Sequence, residues 1–169
     1  MSTRSPMKSS QYKLFLDLDG VLVNFNEGVE KVTGKHPSHL TSKMMWSSLA
    51  RTPRFFERLG WMPDGLMLWE ATRHLSPHIL TGLPHGPWAE PQKRAWCARE
   101  LGPEIPVSTC LSRDKAMIAR GLTAPKQIPL LVDDRTTYQD LWEAMGGVYI
   151  VHRSTESSLA RLRELSVIL

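Results

Sequence analysis

Cysteine is scarce in this chain. Its 169 residues include two, Cys97 and Cys110, and they form no C-x-x-C pair. That excludes a disulfide framework and a cysteine-based zinc site. Both are read as small apolar residues of a protein kept in a reducing compartment. Long apolar runs are missing too. None approaches the roughly 18 residues of a membrane-spanning helix. The polar opening MSTRSPMKSSQY has no apolar stretch of the kind a signal peptide carries. A cytoplasmic protein with a flexible N-terminus over 1–12 and no membrane partner is expected. Basic residues are not concentrated either. The net charge is +4 and the pI about 9.3, with Lys and Arg scattered and no polybasic block. Such a balance suits anionic ligands, but it offers no stripe along which a nucleic-acid strand could run. The six histidines show no metal-ligand spacing beyond His36-x-x-His39, which has no cysteine near it.

What is present is a set of short apolar runs: KLFLDL at 13–18, PHILTG at 77–82, IPVSTC at 105–110, IPLLVDD at 128–134 and GVYIVH at 147–152. Runs of this length read as buried strands. Helical patterns separate them, over 87–102, 136–147 and 154–169, the first with Pro87 near its start and Gly102 as its stop. Strand alternating with helix predicts an α/β fold with a parallel sheet and helices on both faces, a Rossmann-like three-layer core. The interval after the first run holds no strand. It shows helical stretches near 25–33, 41–50, 53–59 and 64–75. A small helical cap over 25–75 is expected, with the core formed by 13–24 and 76–169. The cap carries Phe25, Trp46, Phe55, Phe56, Trp61 and Trp69. These suit a small core of their own, or a grip on a flat ligand.

In an open parallel sheet, ligands bind beyond the carboxyl ends of the strands. There the chain places Asp17 and Asp19, then Thr81 and Gly82, then Ser112 to Lys115, then Asp133 and Asp134. Two carboxylates at the end of a buried strand repel each other unless a cation compensates them. Phosphoryl transfer through an aspartyl intermediate needs this set. A carboxylate, Asp17, serves as nucleophile, and Mg²⁺ takes oxygen ligands from Asp17 with Asp133 or Asp134. Asp19 protonates the leaving oxygen and later takes a proton from water. Alternation puts Asp17 and Asp19 on one side of an extended chain. Thr81, with backbone N–H groups beside Gly82, and Lys115 would hold the phosphate. Lys93, on the 87–102 helix, reads as a surface residue.

These residues resemble a known family. DLDGVLVNF, ILTG, SRDK and LLVDD look like motifs I to IV of the haloacid dehalogenase superfamily of phosphohydrolases, over nearly the whole chain from Lys13. Within it the chain is most similar to the 5'(3')-deoxyribonucleotidase family, on Phe25, Trp46, Phe55-Phe56, Thr81, Lys93 to Trp96, Ser112 to Lys115 and Leu130 to Arg135. The resemblance implies an aspartyl-phosphate on Asp17 and acid/base work by Asp19. It implies Mg²⁺ held by Asp17, the Asp19 carbonyl and Asp134, with Asp133 in support. It also implies that Phe25 and Trp46 contact a nucleobase or sugar. The chain departs from that pattern at Gly82, where the family has a serine. The function expected is a Mg²⁺-dependent phosphomonoesterase of a small phosphorylated metabolite, with a 5'- or 3'-deoxynucleoside monophosphate as the family's substrate class. Two alternatives are a 3'-phosphatase of polynucleotide ends and a non-catalytic binding module of the same fold.

Overall fold

The structure, a computed structural model, describes residues 11–169. Of the N-terminal stretch expected to be flexible, residues 1–10 lie outside the described part, while Tyr12 opens the first strand. The five apolar runs all form strands: β1 (Tyr12–Leu16), β2 (His78–Gly82), β3 (Val107–Cys110), β4 (Ile128–Asp133) and β5 (Val148–Val151). All pairings are parallel, in the order β3-β2-β1-β4-β5. The fold is α/β with three Rossmann-like layers. Among the described residues seven α-helices flank the sheet: α1 (Phe25–Thr33), α2 (Ser42–Ala50), α3 (Gly65–Thr72), α4 (Ala89–Glu100), α5 (Lys115–Leu122), α6 (Gln139–Ala144) and α7 (Thr155–Glu164). The sequence reading names no helix between the third and fourth runs, where α5 forms.

Period-two alternation assigns the two faces. Leu14, Leu16, Ile79, Leu130 and Val132 enter one buried cluster with Trp96, Leu159 and Leu162. Phe15, Leu80 and Leu131 enter the other, with Ala119 and Trp142. α4 and α7 therefore cover one face and α5 and α6 the other. A strand buried on both faces has no polar side to show, which is why these runs read as unbroken apolar stretches.

The insert after β1 is not walled off from the sheet. Val29, Leu49, Phe55, Phe56, Leu68 and Trp69 belong to the same cluster as Leu14 and Leu16. α3 packs on α7, and Asp64 just before it accepts from the Thr155 N–H (2.7 Å) that opens α7. The stretch expected to be helical over 53–59 is instead turn with one 3-10 turn at Phe56–Arg58. Arg54 stands there at φ 57, a left-handed conformation that no α-helix continues through. This segment lies along α4. Phe56 N–H donates to Gln92 Oε1 (2.9 Å), and the Leu59 and Glu57 carbonyls accept from Trp96 Nε1 and Arg99 Nη2. Among the described residues no helix is long and apolar enough to cross a membrane.

Candidate active site

β1 and β4 are central neighbours, and the chain leaves β1 toward β2 but returns to β4 on its other side. That reversal opens a crevice at the carboxyl ends of the strands. Leu16 pairs with Val132, and Asp17 N–H donates to the Val132 carbonyl at 3.0 Å. The register therefore sets Asp17 beside Asp133. After Asp17 the chain turns sharply: the Leu18 carbonyl accepts from the N–H groups of Val21, Leu22 and Val23. Gly20 makes the turn at φ +79, and a Cβ there would lie 2.2 Å from Asp134 Oδ2. Glycine is thus required both for the conformation and for the close approach of that carboxylate.

Two lysines from opposite helical layers divide the acids. Lys115, at the start of α5, lies 3.0 Å from Asp17 Oδ1 and 2.8 Å from Asp133 Oδ2. These contacts use two of its three N–H bonds and leave one to face a ligand. Lys93, from α4, donates to Asp19 Oδ2 (2.7 Å), Thr81 Oγ1 (3.0 Å) and the Gly82 carbonyl (2.8 Å). Its ammonium also stands 4.5 Å from the centre of the Phe56 ring. All three of its N–H bonds are used.

Lys93 corrects the sequence reading. It is 3% exposed and no surface residue. The signal was present: α4 buries Ala89, Lys93, Trp96 and Cys97, a helical i, i+4, i+7, i+8 face on which Lys93 is the one charge. Thr81 is also differently placed. It is fully buried, its hydroxyl is engaged by Lys93, and it is not among the residues lining the cavity, whereas Gly82 is. Of the remaining residues singled out, Asp17, Asp19, Lys115, Asp133, Asp134, Phe25 and Trp46 all line one cavity of about 1030 Å³.

The cavity departs from expectation at Gly82 in an informative way. A Cβ on Gly82 would fall 2.3 Å from Ser112 Oγ. The Ser112 hydroxyl therefore occupies the room that a serine side chain at 82 would fill. Ser112 lines the cavity, so the hydroxyl missing from position 82 returns from the turn after β3. Only the folded chain brings these two positions together. On the cap side Phe25 and Trp46 meet with ring centres 5.7 Å apart. Trp88, which the sequence did not single out, adds a third aromatic wall packed on Phe56.

Charge is the governing feature of the floor. Four carboxylates face two ammonium groups, an excess of acid in a buried place. Burial pushes the Asp17 carboxyl up to about 7, with Asp133 adding to the rise and Lys115 opposing it. Burial, then the neighbouring Asp133, lifts Asp134 to about 6. For Lys115 burial works against the charged form, but Asp17 and Asp133 outweigh it and hold the pKa above the usual lysine range.

Carboxylate oxygens of Asp17, Asp133 and Asp134 lie within 4.8 Å of one another. Asp133 is engaged at both oxygens, by Lys115 and by the Arg135 N–H at 3.0 Å. Asp134 Oδ1 is buried without a hydrogen-bond partner. An unpaired buried acceptor in a surplus of acid fits a hard cation with oxygen ligands. Of the two adjacent acids, Asp134 is the one with an oxygen free to reach it.

No protein-family model matches the chain, and no curated protein matches it.

Proposed function

We propose that the chain is a Mg²⁺-dependent phosphomonoesterase of the haloacid dehalogenase type, acting on a nucleoside monophosphate. The observation that carries this reading is the cluster of Asp17, Asp133 and Asp134, the first two paired with Lys115, with one buried carboxylate oxygen of Asp134 left unpaired. Asp17 and Asp134 would hold the cation, with Asp133 fixed by Lys115 and the Arg135 N–H behind them. When bound, the cation neutralises the acid surplus and draws negative charge off the phosphate.

Asp17 supplies the attacking oxygen. An oxygen–phosphorus bond forms to its carboxylate while the bond to the leaving alcohol breaks. Asp19, held by Lys93, gives its proton to that departing oxygen. Water then attacks the phosphorus of the aspartyl-phosphate, Asp19 takes the water's proton, and Asp17 is released with inorganic phosphate. The free N–H of Lys115 and the Ser112 hydroxyl face the phosphate oxygens. The walls of Phe25, Trp46 and Trp88 suit a flat ring, which favours a nucleoside over a plain sugar phosphate.

Phosphate release from purified protein decides between substrates. The panel is deoxy- and ribonucleoside monophosphates, sugar phosphates and a phosphorylated oligonucleotide end, each with Mg²⁺ and with EDTA. EDTA-sensitive turnover of nucleoside monophosphates is expected. Turnover that EDTA leaves intact would overturn the cation's place in the reaction, and turnover of sugar phosphates alone would remove the nucleoside.

A further inference from the structure

Among the described residues, every acid on the cavity wall belongs to the cluster at its floor. Tyrosine aside, the remaining ionisable groups on the wall are bases: Lys43, His85, Arg113 and Arg135, all exposed. A divalent cation balances the floor, and the two negative charges of one bound phosphate still leave positive charge over among Lys43, Arg113 and Arg135.

The two arginines are placed with unequal care for backbone and side chain. Arg113 stands in the single turn Ser112–Asp114 that leads into α5, two positions before Lys115. Arg135 follows Asp134 directly. Its N–H donates to Asp133 Oδ1 at 3.0 Å, and its carbonyl accepts from the Tyr149 hydroxyl. The preceding carbonyl, of Asp134, accepts from Arg153 Nη1 at 2.9 Å. The peptide is thus pinned on both sides of the residue. Yet no hydrogen bond or ion pair engages the guanidinium of Arg113 or Arg135 among the described residues.

The volume points the same way. The cavity of about 1030 Å³ lies at the top of the range of about 300–1,000 Å³ usual for small-molecule sites. A nucleoside monophosphate set against the acids and the rings of Phe25, Trp46 and Trp88 would leave the other lining residues for a further group. The two arginines line the cavity together with Ala116 of α5 and with Thr137, Tyr138 and Leu141 at α6. Guanidinium groups match phosphate oxygens in paired hydrogen bonds, which a lysine cannot do.

We infer that the substrate carries a second phosphate besides the one transferred, and that Arg113 and Arg135 bind it. This inference rests on the phosphomonoesterase reading. Two sources share this chemistry: a nucleoside bisphosphate, and the phosphorylated end of an oligonucleotide, whose next phosphodiester would take the same place.

Three ligands test it: a deoxynucleoside 5'-monophosphate, the matching 3',5'-bisphosphate, which differs from it only in the second phosphate, and a 5'-phosphorylated dinucleotide, whose second phosphate is a diester to a further nucleoside. Binding is measured by calorimetry with Mg²⁺ on the Asp17→Asn protein, with and without Arg113→Gln and Arg135→Gln. Turnover is measured on the protein with Asp17 intact. The bisphosphate should bind at least about 10-fold more tightly than the monophosphate, the worth of one or two charge-assisted hydrogen bonds. The double arginine variant should erase that difference. A dinucleotide bound as tightly as the bisphosphate would make a polynucleotide end the source; a dinucleotide bound no better than the monophosphate would make it a small bisphosphate. Equal binding of mono- and bisphosphate would overturn the inference, and so would a double variant that weakens both ligands by the same factor. Preferential, arginine-dependent binding without turnover of any ligand would keep the second-phosphate site and sink the reading of the reaction.

Discussion

The Lys93 ammonium lies 2.7 Å from Asp19 Oδ2, and its other two N–H bonds end on Thr81 Oγ1 and the Gly82 carbonyl. An ammonium so occupied has nothing left for a substrate oxygen. Its effect is to fix where Asp19 points. Lys93→Met should lower kcat by about 100-fold, the lower range for loss of a positioned acid/base, with little change in KM. Stability should fall by about 1–3 kcal/mol, because Thr81 and the Gly82 carbonyl lose their donor. Steady-state kinetics separate the two roles: a raised KM at unchanged kcat would make Lys93 a substrate ligand instead.

The acid surplus at the floor makes stability depend on pH and on the cation together. Asp17 at about 7 and Asp134 at about 6 both stand above the ordinary 3.8. Between those values the folded chain holds protons that the unfolded chain has lost. Stability from these groups is complete below about pH 4 and is lost as the pH rises through about 6 to 7. In EDTA the melting temperature should therefore drift down across that window. Mg²⁺ should reverse the drift, with a gain that grows with pH. Thermal melts of Asp134→Asn should show both a flatter pH profile and a smaller Mg²⁺ gain. A Mg²⁺ gain equal in wild type and variant would remove Asp134 from the cation site.

Gly82 and Ser112 should behave as one unit. Gly82→Ser alone drives a side chain into Ser112 Oγ, which stands 2.3 Å from the Cβ position. The cost of such crowding is about 1–3 kcal/mol. Adding Ser112→Gly should restore most of the stability and return the hydroxyl from position 82. Ser112→Gly by itself should raise KM for the phosphate ester. A double variant no more stable than Gly82→Ser would show that the two sites are not coupled.

Much of this is legible in the sequence. All five apolar runs form strands, and the inner three, β1, β2 and β4, leave the clearest apolar signal because they are covered on both faces. The acids fall at one edge because they end or directly follow such runs, and Lys115 joins them one short turn after β3. Lys93 reads as exposed in the sequence because lysine on a charged helix usually is. The buried face it shares with Ala89, Trp96 and Cys97 outvoted that habit, since Asp19 and Thr81 were there to receive its charge. Ser112 in place of a side chain at 82 was not readable at all. It is a clash between residues 30 positions apart, and no local pattern records it. The turn at Arg54 was missed for a similar reason: its left-handed conformation is imposed by the anchoring of Phe56, Glu57 and Leu59 on α4.

Phe25 and Trp46 divide substrate recognition from packing. Their rings stand 5.7 Å apart on the cavity wall. Phe25→Ala and Trp46→Ala should each weaken kcat/KM for nucleoside monophosphates more than for a generic aryl phosphate, by a factor on the order of 5 to 10 for the loss of an aromatic contact of about 1–1.5 kcal/mol. Equal losses on both substrates would leave these rings a packing role only.

The central claim is that Asp17 carries the phosphoryl group, and rapid acid quench during turnover tests it most directly. Protein mixed with a nucleoside monophosphate and Mg²⁺ is quenched within a turnover, digested and read by mass spectrometry. The account predicts a phosphoryl adduct on the peptide holding Asp17, absent with EDTA and absent in Asp17→Asn, which should also lose turnover. An adduct on another residue, or phosphate release undiminished in Asp17→Asn, would contradict it.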